Sequence, residues 1–141
     1  MKIYFAGSIR AGREDVDTYH RIINQLKQYG EVLTEHVGDY SLSIEGQNQL
    51  PDTYIHDRDL EWLQSSDVIV AEVTVPSLGV GYELATAVKE NIPVIALFRN
   101  AEGRQLSAMI RGSKGIDTID YNDIETVIPR LNGLLNELKT N

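Results

Sequence analysis

The chain contains no cysteine. That single absence removes disulfides, thiolate metal sites and thiol nucleophiles together, and it is compatible with a reducing compartment. No apolar run approaches the roughly 20 residues that a membrane-spanning helix needs. Positive charge is scarce: 13 Lys and Arg stand against 21 Asp and Glu, a formal charge of −8. Such a field repels a polyphosphate chain from most of the surface, so nucleic acid is not an expected partner. A small phosphorylated ligand stays open, because a few amides and one or two arginines make a local positive pocket on an acidic protein. The only histidines, His20, His36 and His56, show no H-x-x-x-H spacing, and with no thiol to complete a zinc site no metal is expected. The G-x-x-x-x-G-K-[ST] phosphate loop is absent, as is any Ser-His-Asp nucleophile elbow.

What is present reads as one compact domain over residues 1–141, with 42% hydrophobic and 24% charged residues, the balance of an ordinary globular protein. Met1 leads directly into Lys2-Ile3-Tyr4-Phe5-Ala6, a core strand rather than a secretory signal, which sets the expectation of a cytoplasmic protein, or a nuclear one in a eukaryote. Short β-rich runs at Lys2–Ala6, Glu31–Glu35, Val68–Val73, Pro93–Phe98 and Ile116–Ile119 alternate with amphipathic stretches. Helices are expected over Asp15–Tyr29, stopped by Gly30, and over Thr53–Ser65, Gly81–Asn91 and Asp123–Lys139, the last beginning at or kinking near Pro129. Gly38–Pro51 is the one long polar stretch, a surface loop or lid.

Strands alternating with helices imply an α/β fold: a single doubly wound, flavodoxin/Rossmann-like five-stranded parallel sheet with helices on both faces. In the order 2-1-3-4-5, ligands sit beyond the carboxyl ends of strands 1 and 3, where the winding reverses. The loops to inspect are therefore Gly7–Arg13 and Thr74–Gly81.

The first loop, Gly7-Ser8-Ile9-Arg10-Ala11-Gly12-Arg13, offers amides, a hydroxyl and two guanidinium groups ahead of a helix. It serves either as a phosphate cradle or as a tight turn with solvated arginines. The second, Val75-Pro76-Ser77-Leu78-Gly79-Val80-Gly81-Tyr82-Glu83, offers a second anion cradle and places Glu83 in a helical first turn. There Glu83 either complements the helix dipole, which would keep it ionised, or acts as a nucleophile. Asp59 shares a helical face with Ile55 and Leu63 and points inward, as a paired structural carboxylate or a functional one. His36, following strand 2, points to the rim of the same pocket, either as a substrate contact or in a plain strand-end role, and Ser107 is placed to cap a short helix.

Taken in order, these segments resemble the 2'-deoxynucleoside 5'-phosphate N-hydrolases, within the nucleoside 2-deoxyribosyltransferase-like superfamily. The similarity rests on Tyr4-Phe5-Ala6-Gly7-Ser8-Ile9-Arg10-Ala11-Gly12-Arg13-Glu14-Asp15, Val32-Leu33-Thr34-Glu35-His36-Val37, Asp59-Leu60-Glu61-Trp62-Leu63-Gln64, Val70-Ala71-Glu72-Val73-Thr74, Pro76-Ser77-Leu78-Gly79-Val80-Gly81-Tyr82-Glu83-Leu84 and Leu106-Ser107-Ala108-Met109-Ile110-Arg111-Gly112. The resemblance implies hydrolysis of an N-glycosidic bond with no cofactor or metal. Glu83 would be the nucleophile, Asp59 the second carboxylate and Tyr4 the residue that orients Glu83 near the sugar 2-position. Gly7, Ser8, Ile9, Arg10, Ser77 and Gly79 would line the nucleotide and phosphate pocket. It further implies a homodimer in which Ser107, with Met109 beside it, contacts the phosphate in the neighbouring active site. Gly38–Asn48 does not match the family, which leaves open whether the base is a purine or a modified pyrimidine such as that of 5-hydroxymethyl-dUMP. Two alternatives stand beside this reading: a nucleoside 2-deoxyribosyltransferase using the same Glu83 intermediate, and a non-catalytic nucleotide-binding module on the same fold.

Overall fold

A computed structural model describes residues 1–9, 13–34, 50–101 and 103–141. In chain order the elements are β1 (Lys2–Gly7), α1 (Arg13–Leu26), β2 (Glu31–Leu33), α2 (Asp52–Gln64), β3 (Val68–Glu72), α3 (Leu78–Lys89), β4 (Val94–Arg99), α4 (Ala108–Arg111), β5 (Ile116–Tyr121) and α5 (Ile124–Thr140). The strands form one five-stranded sheet in the order β2-β1-β3-β4-β5, and every pair in it is parallel. This is the expected doubly wound α/β architecture, and it places the winding reversal between β1 and β3.

The core follows from period-two alternation on strands covered on both faces. Ile3, Phe5, Val68, Val70, Ile95 and Leu97 face one way and pack with Tyr19, Ile22 and Leu26 of α1 and Val127, Leu131 and Leu135 of α5. Tyr4, Ala6, Ile69, Ala71, Val94 and Ala96 face the other way and pack with Leu63 of α2 and Val80, Leu84 and Ala87 of α3. Each fully buried Leu or Ile contributes about 1.5–3 kcal/mol, so removing either helical layer exposes more than a domain of this size can lose.

Element boundaries differ from the expected ones where local bonding outranks periodicity. Helix α1 ends at Leu26 rather than Tyr29, because the Gln28 and Tyr29 amides donate to carbonyls three residues back at 3.1 and 2.9 Å, tightening the final turn. Gly30 then passes so close to Met1 that a Cβ would lie 1.9 Å from the Met1 carbonyl oxygen; its role is close backbone approach rather than helix termination. Strand β2 ends at Leu33, since Thr34 turns to φ 63°. Helix α3 starts at Leu78 and not at Gly81, because the Ser77 hydroxyl accepts from the Val80 amide at 3.2 Å and sets the cap there. Helix α5 runs through Pro129 from an Asp123 cap, so the proline neither starts nor ends it. Most of the expected Gly38–Pro51 loop lies outside the described residues.

Candidate active site

Alternation along β1 sends Tyr4 to the α2/α3 face, where it is 1% exposed. Its hydroxyl donates to Glu83 Oε2. Glu83 reaches that position because Val80 and Ala87, three residues before it and four after, are buried against the sheet. Glu83 is the sixth residue of α3, so the expected place in the first turn is corrected, and with it the dipole argument, which fades beyond that turn. Burial decides the ionisation instead. It pushes the Glu83 carboxyl up to about 7, the hydrogen bond from Tyr4 pulls down, and the negative charge of Asp59 adds a smaller upward push. Burial and the adjacent Glu83 together hold the Tyr4 phenol far above its ordinary range.

The second carboxylate comes from α2. Asp52, Ile55 and Asp59, spaced three and four residues apart, line the same cavity as Glu83. Arg58 Nε and Nη2 both approach Asp59 Oδ1 at 3.0 Å. The guanidinium in turn lies 4.8 Å from the Trp62 ring centroid and 5.8 Å from that of Tyr54. Adjacent helical residues do not ordinarily face each other; the aromatic bed is what folds Arg58 back over its neighbour.

Two loops at the winding reversal complete the enclosure. Gly7 at the end of β1 with Ser8 and Ile9 after it, and Val75 to Val80 after β3, line a cavity of about 620 Å³ together with Tyr4, Asp59 and Glu83. The Ser8 amide donates to the Tyr19 hydroxyl at 3.1 Å, which fixes the first loop from below. Ser77 accepts from the Val80 amide through its hydroxyl oxygen, and Gly79 stands in the first turn of α3. The expected site residues Tyr4, Gly7, Ser8, Ile9, Asp59, Ser77, Gly79 and Glu83 therefore converge. Arg10 and His36 lie outside the described residues.

Ser107 and Met109 lie elsewhere. Both line a second, mainly apolar groove of about 870 Å³ that shares Val75, Pro76, Ser77, Leu78 and Val80 with the first cavity. The Ser107 hydroxyl accepts from the Met109 amide at 3.2 Å, the capping arrangement that its sequence position allows. Arg111 forks onto Asp120 with two contacts of 2.9 Å, tying α4 to β5.

Sequence did not single out Asp52 or Thr34 among the cavity residues. Asp52 carried a signal in its spacing from Asp59, whereas Thr34 reaches the cavity only because it follows β2, which pairs with β1.

This geometry, a buried Tyr–Glu pair facing a second carboxylate at the winding reversal, defines an α/β protein with a carboxylate-lined cavity beyond the carboxyl ends of β1 and β3. The chain belongs to the nucleoside 2-deoxyribosyltransferase family, whose model matches residues 3–126. It is 60% identical over 123 residues to the 5-hydroxymethyl-dUMP N-hydrolase of Danio rerio, covering 87% of this chain and 86% of that one. It is 52% identical over 134 residues to the protein of the same name from Tetraodon nigroviridis, covering 91% and 94%. Among solved structures, the CMP N-glycosidase of Clostridium botulinum shares the fold with a TM-score of 0.70 at 17% identity, over 95% of this chain and 99% of that one.

Proposed function

We propose that this chain, as a single domain over residues 1–141, hydrolyses the N-glycosidic bond of 2'-deoxynucleoside 5'-monophosphates, releasing the free base and 2-deoxyribose 5-phosphate. The observation that carries the reading is the Tyr4–Glu83 pair facing Asp59 in one cavity. The relatives' names point to 5-hydroxymethyl-dUMP as the first substrate to try.

In the proposed reaction the Glu83 carboxylate bonds to the anomeric carbon as the bond to the base nitrogen breaks. The electron pair leaves with the base, which is protonated with assistance from Asp59. Water then attacks the same carbon, breaking the bond to Glu83 and releasing the sugar phosphate, and the proton it loses replaces the one taken up by the base. The intermediate steps pass through an oxocarbenium-like state, and a carboxylate beneath that carbon stabilises its developing positive charge. A 2-deoxy sugar lacks the electron-withdrawing hydroxyl and ionises more readily. Tyr4 orients Glu83 by its hydrogen bond. The phosphate, held by amides of the two loops and by Ser8, Arg10 and Ser77, supplies remote binding energy that fixes the sugar against Glu83, with Gly7, Ile9, Gly79 and His36 lining the rest of the pocket.

A homodimer is the proposed working form. Leu78 is 97% and Met109 82% exposed beside the second groove, a large apolar surface for a water-facing protein. A second copy covering it would bring Ser107 towards a phosphate in the adjoining cavity. Nucleoside monophosphates are intracellular metabolites, which favours a cytoplasmic or nuclear site of action; no helix among the described residues is long and apolar enough to cross a membrane.

The test is product release from deoxynucleoside monophosphates, their ribonucleotides and the unphosphorylated deoxynucleosides, with Glu83→Ala as control. Free base from deoxynucleotides, lost in the variant, is the expected result. The family model carries the name of a transferase, and sugar passed to a second added base would move the assignment there. Nucleotide binding without turnover would leave only a binding module.

A further inference from the structure

On the opposite face of the sheet from Glu83 lies a carboxylate for which the proposed chemistry has no use. Glu72 ends β3, is 1% exposed and stands in register beside Gly7 of β1. A buried carboxylate is costly unless its oxygens are bonded, and these are: Oε1 accepts from the Thr74 amide at 2.7 Å, and Oε2 accepts from the Thr74 hydroxyl at 2.9 Å and from the Tyr121 hydroxyl. Burial raises the Glu72 carboxyl, and these bonds pull the other way.

Thr74 is the residue on which the arrangement converges. Besides its two bonds to Glu72, its hydroxyl oxygen accepts from the Arg99 amide at 2.8 Å, and its carbonyl accepts from Arg104 Nη1 at 3.0 Å. Amide, hydroxyl and carbonyl are thus all held, by groups from β3, β4 and the segment that follows β4. The next residues, Val75, Pro76 and Ser77, line the cavity, and Ser77 caps the helix that carries Glu83. The first loop rests on the same layer, because Tyr19 binds the Ser8 amide from that face, and Arg99 reaches Asp15 of α1 at 2.7 Å.

We propose that Glu72 is a positioning residue: by clamping Thr74 from the far face of the sheet, it sets the Val75–Ser77 turn, and hence Ser77 and the amides at the start of α3, against the phosphate of the substrate. The proposal rests on the phosphate-binding reading of that turn given above. A merely structural Glu72 would lower the folded fraction and affect all substrates alike. A positioning Glu72 affects the phosphorylated substrate selectively, since a displacement of about 1 Å at a positioning group costs up to a hundred-fold in rate.

The experiment compares Glu72→Gln, Thr74→Val, Thr74→Ser and Ser77→Ala with the parent chain, each assayed well below its own melting temperature. kcat and KM are measured for 5-hydroxymethyl-dUMP and for its unphosphorylated deoxynucleoside. Glu72→Gln and Thr74→Val are expected to lower the nucleotide-to-nucleoside ratio of kcat/KM by about ten-fold or more, mainly through KM for the nucleotide, while Thr74→Ser, which keeps the hydroxyl, restores it. A ratio within about two-fold of the parent in Thr74→Val would overturn the proposal, and that pair of threonine variants carries the test if Glu72→Gln does not fold. Ser77→Ala separates the two readings. A lowered ratio there with an unchanged one in Thr74→Val removes the clamp and keeps Ser77. The reverse result keeps the clamp, acting through the loop amides, and removes Ser77.

Discussion

The Tyr4 hydroxyl donates to Glu83 Oε2 across 79 residues of sequence, and this bond opposes the burial that otherwise raises the Glu83 carboxyl. Nucleophilic attack needs the carboxylate form. For the free enzyme, kcat/KM is therefore expected to rise with pH through about 7, the value to which Glu83 is pushed. Tyr4→Phe removes the bond that favours the charged form, so the acidic limb should move to higher pH and kcat/KM at neutral pH should fall about ten-fold for each unit of displacement. A pH–rate profile of both proteins checks this; a limb that stays in place or moves downward sinks the assigned role of Tyr4.

The same carboxyl should cost stability at alkaline pH. With its folded value near 7 against an ordinary 4.5, Glu83 keeps a proton in the folded chain that the unfolded chain has released. The stability it contributes is complete below 4.5 and is lost as pH rises through about 7. Glu83→Gln has no proton to lose. It is expected to be inactive yet more stable than the parent at pH 8, by an amount on the order of 3 kcal/mol at most, with the difference vanishing towards pH 4. Urea unfolding at the two pH values measures it, and equal offsets at both would contradict the ionisation assigned to Glu83.

Gly7→Ala tests the floor of the first loop. A Cβ there would stand 2.9 Å from Tyr19 Cζ, and the Tyr19 ring is fully buried and edge-on to Phe5 at 5.5 Å, so it has little room to retreat. A loss of about 1–3 kcal/mol is expected, together with weaker nucleotide binding as the Tyr19 hydroxyl leaves the Ser8 amide. Unchanged urea midpoint and affinity would show that the loop does not depend on this contact.

Met109→Asp tests the second groove. Placing a charge on an 82% exposed side chain has little effect on a monomer surface, but in an apolar contact between copies it is strongly unfavourable. Sedimentation is expected to show a dimer for the parent and a monomer with reduced kcat/KM for the variant. A parent that sediments as a monomer at assay concentrations ends the dimer proposal.

The fold was legible in the chain because its signals are local. Runs such as Val68-Ile69-Val70-Ala71 alternate with amphipathic stretches, and that alternation with right-handed crossovers leads to the order β2-β1-β3-β4-β5. The inward face of Asp59 was equally visible, since Ile55 and Leu63 flank it at helical spacing. The start of α3 was misplaced because Gly81 reads as a turn, whereas the Ser77 hydroxyl bonded to the Val80 amide begins the helix earlier.

Sequence by itself determined which faces are apolar, which loops meet at the winding reversal and which residue types stand in them. Tertiary structure alone decided how those residues behave. Glu83 near a helix start reads as a solvated anion until Val80, Ala87 and Tyr4 close around it and desolvation outweighs the dipole. Glu72 owes its burial and its bonds to Tyr121, from the far edge strand, and to Thr74, itself held by the Arg99 amide. Periodicity and capping act over a few residues along the chain. Desolvation and hydrogen bonding depend on every segment that folding brings within a few ångströms, and they set the charge and the orientation on which the chemistry rests.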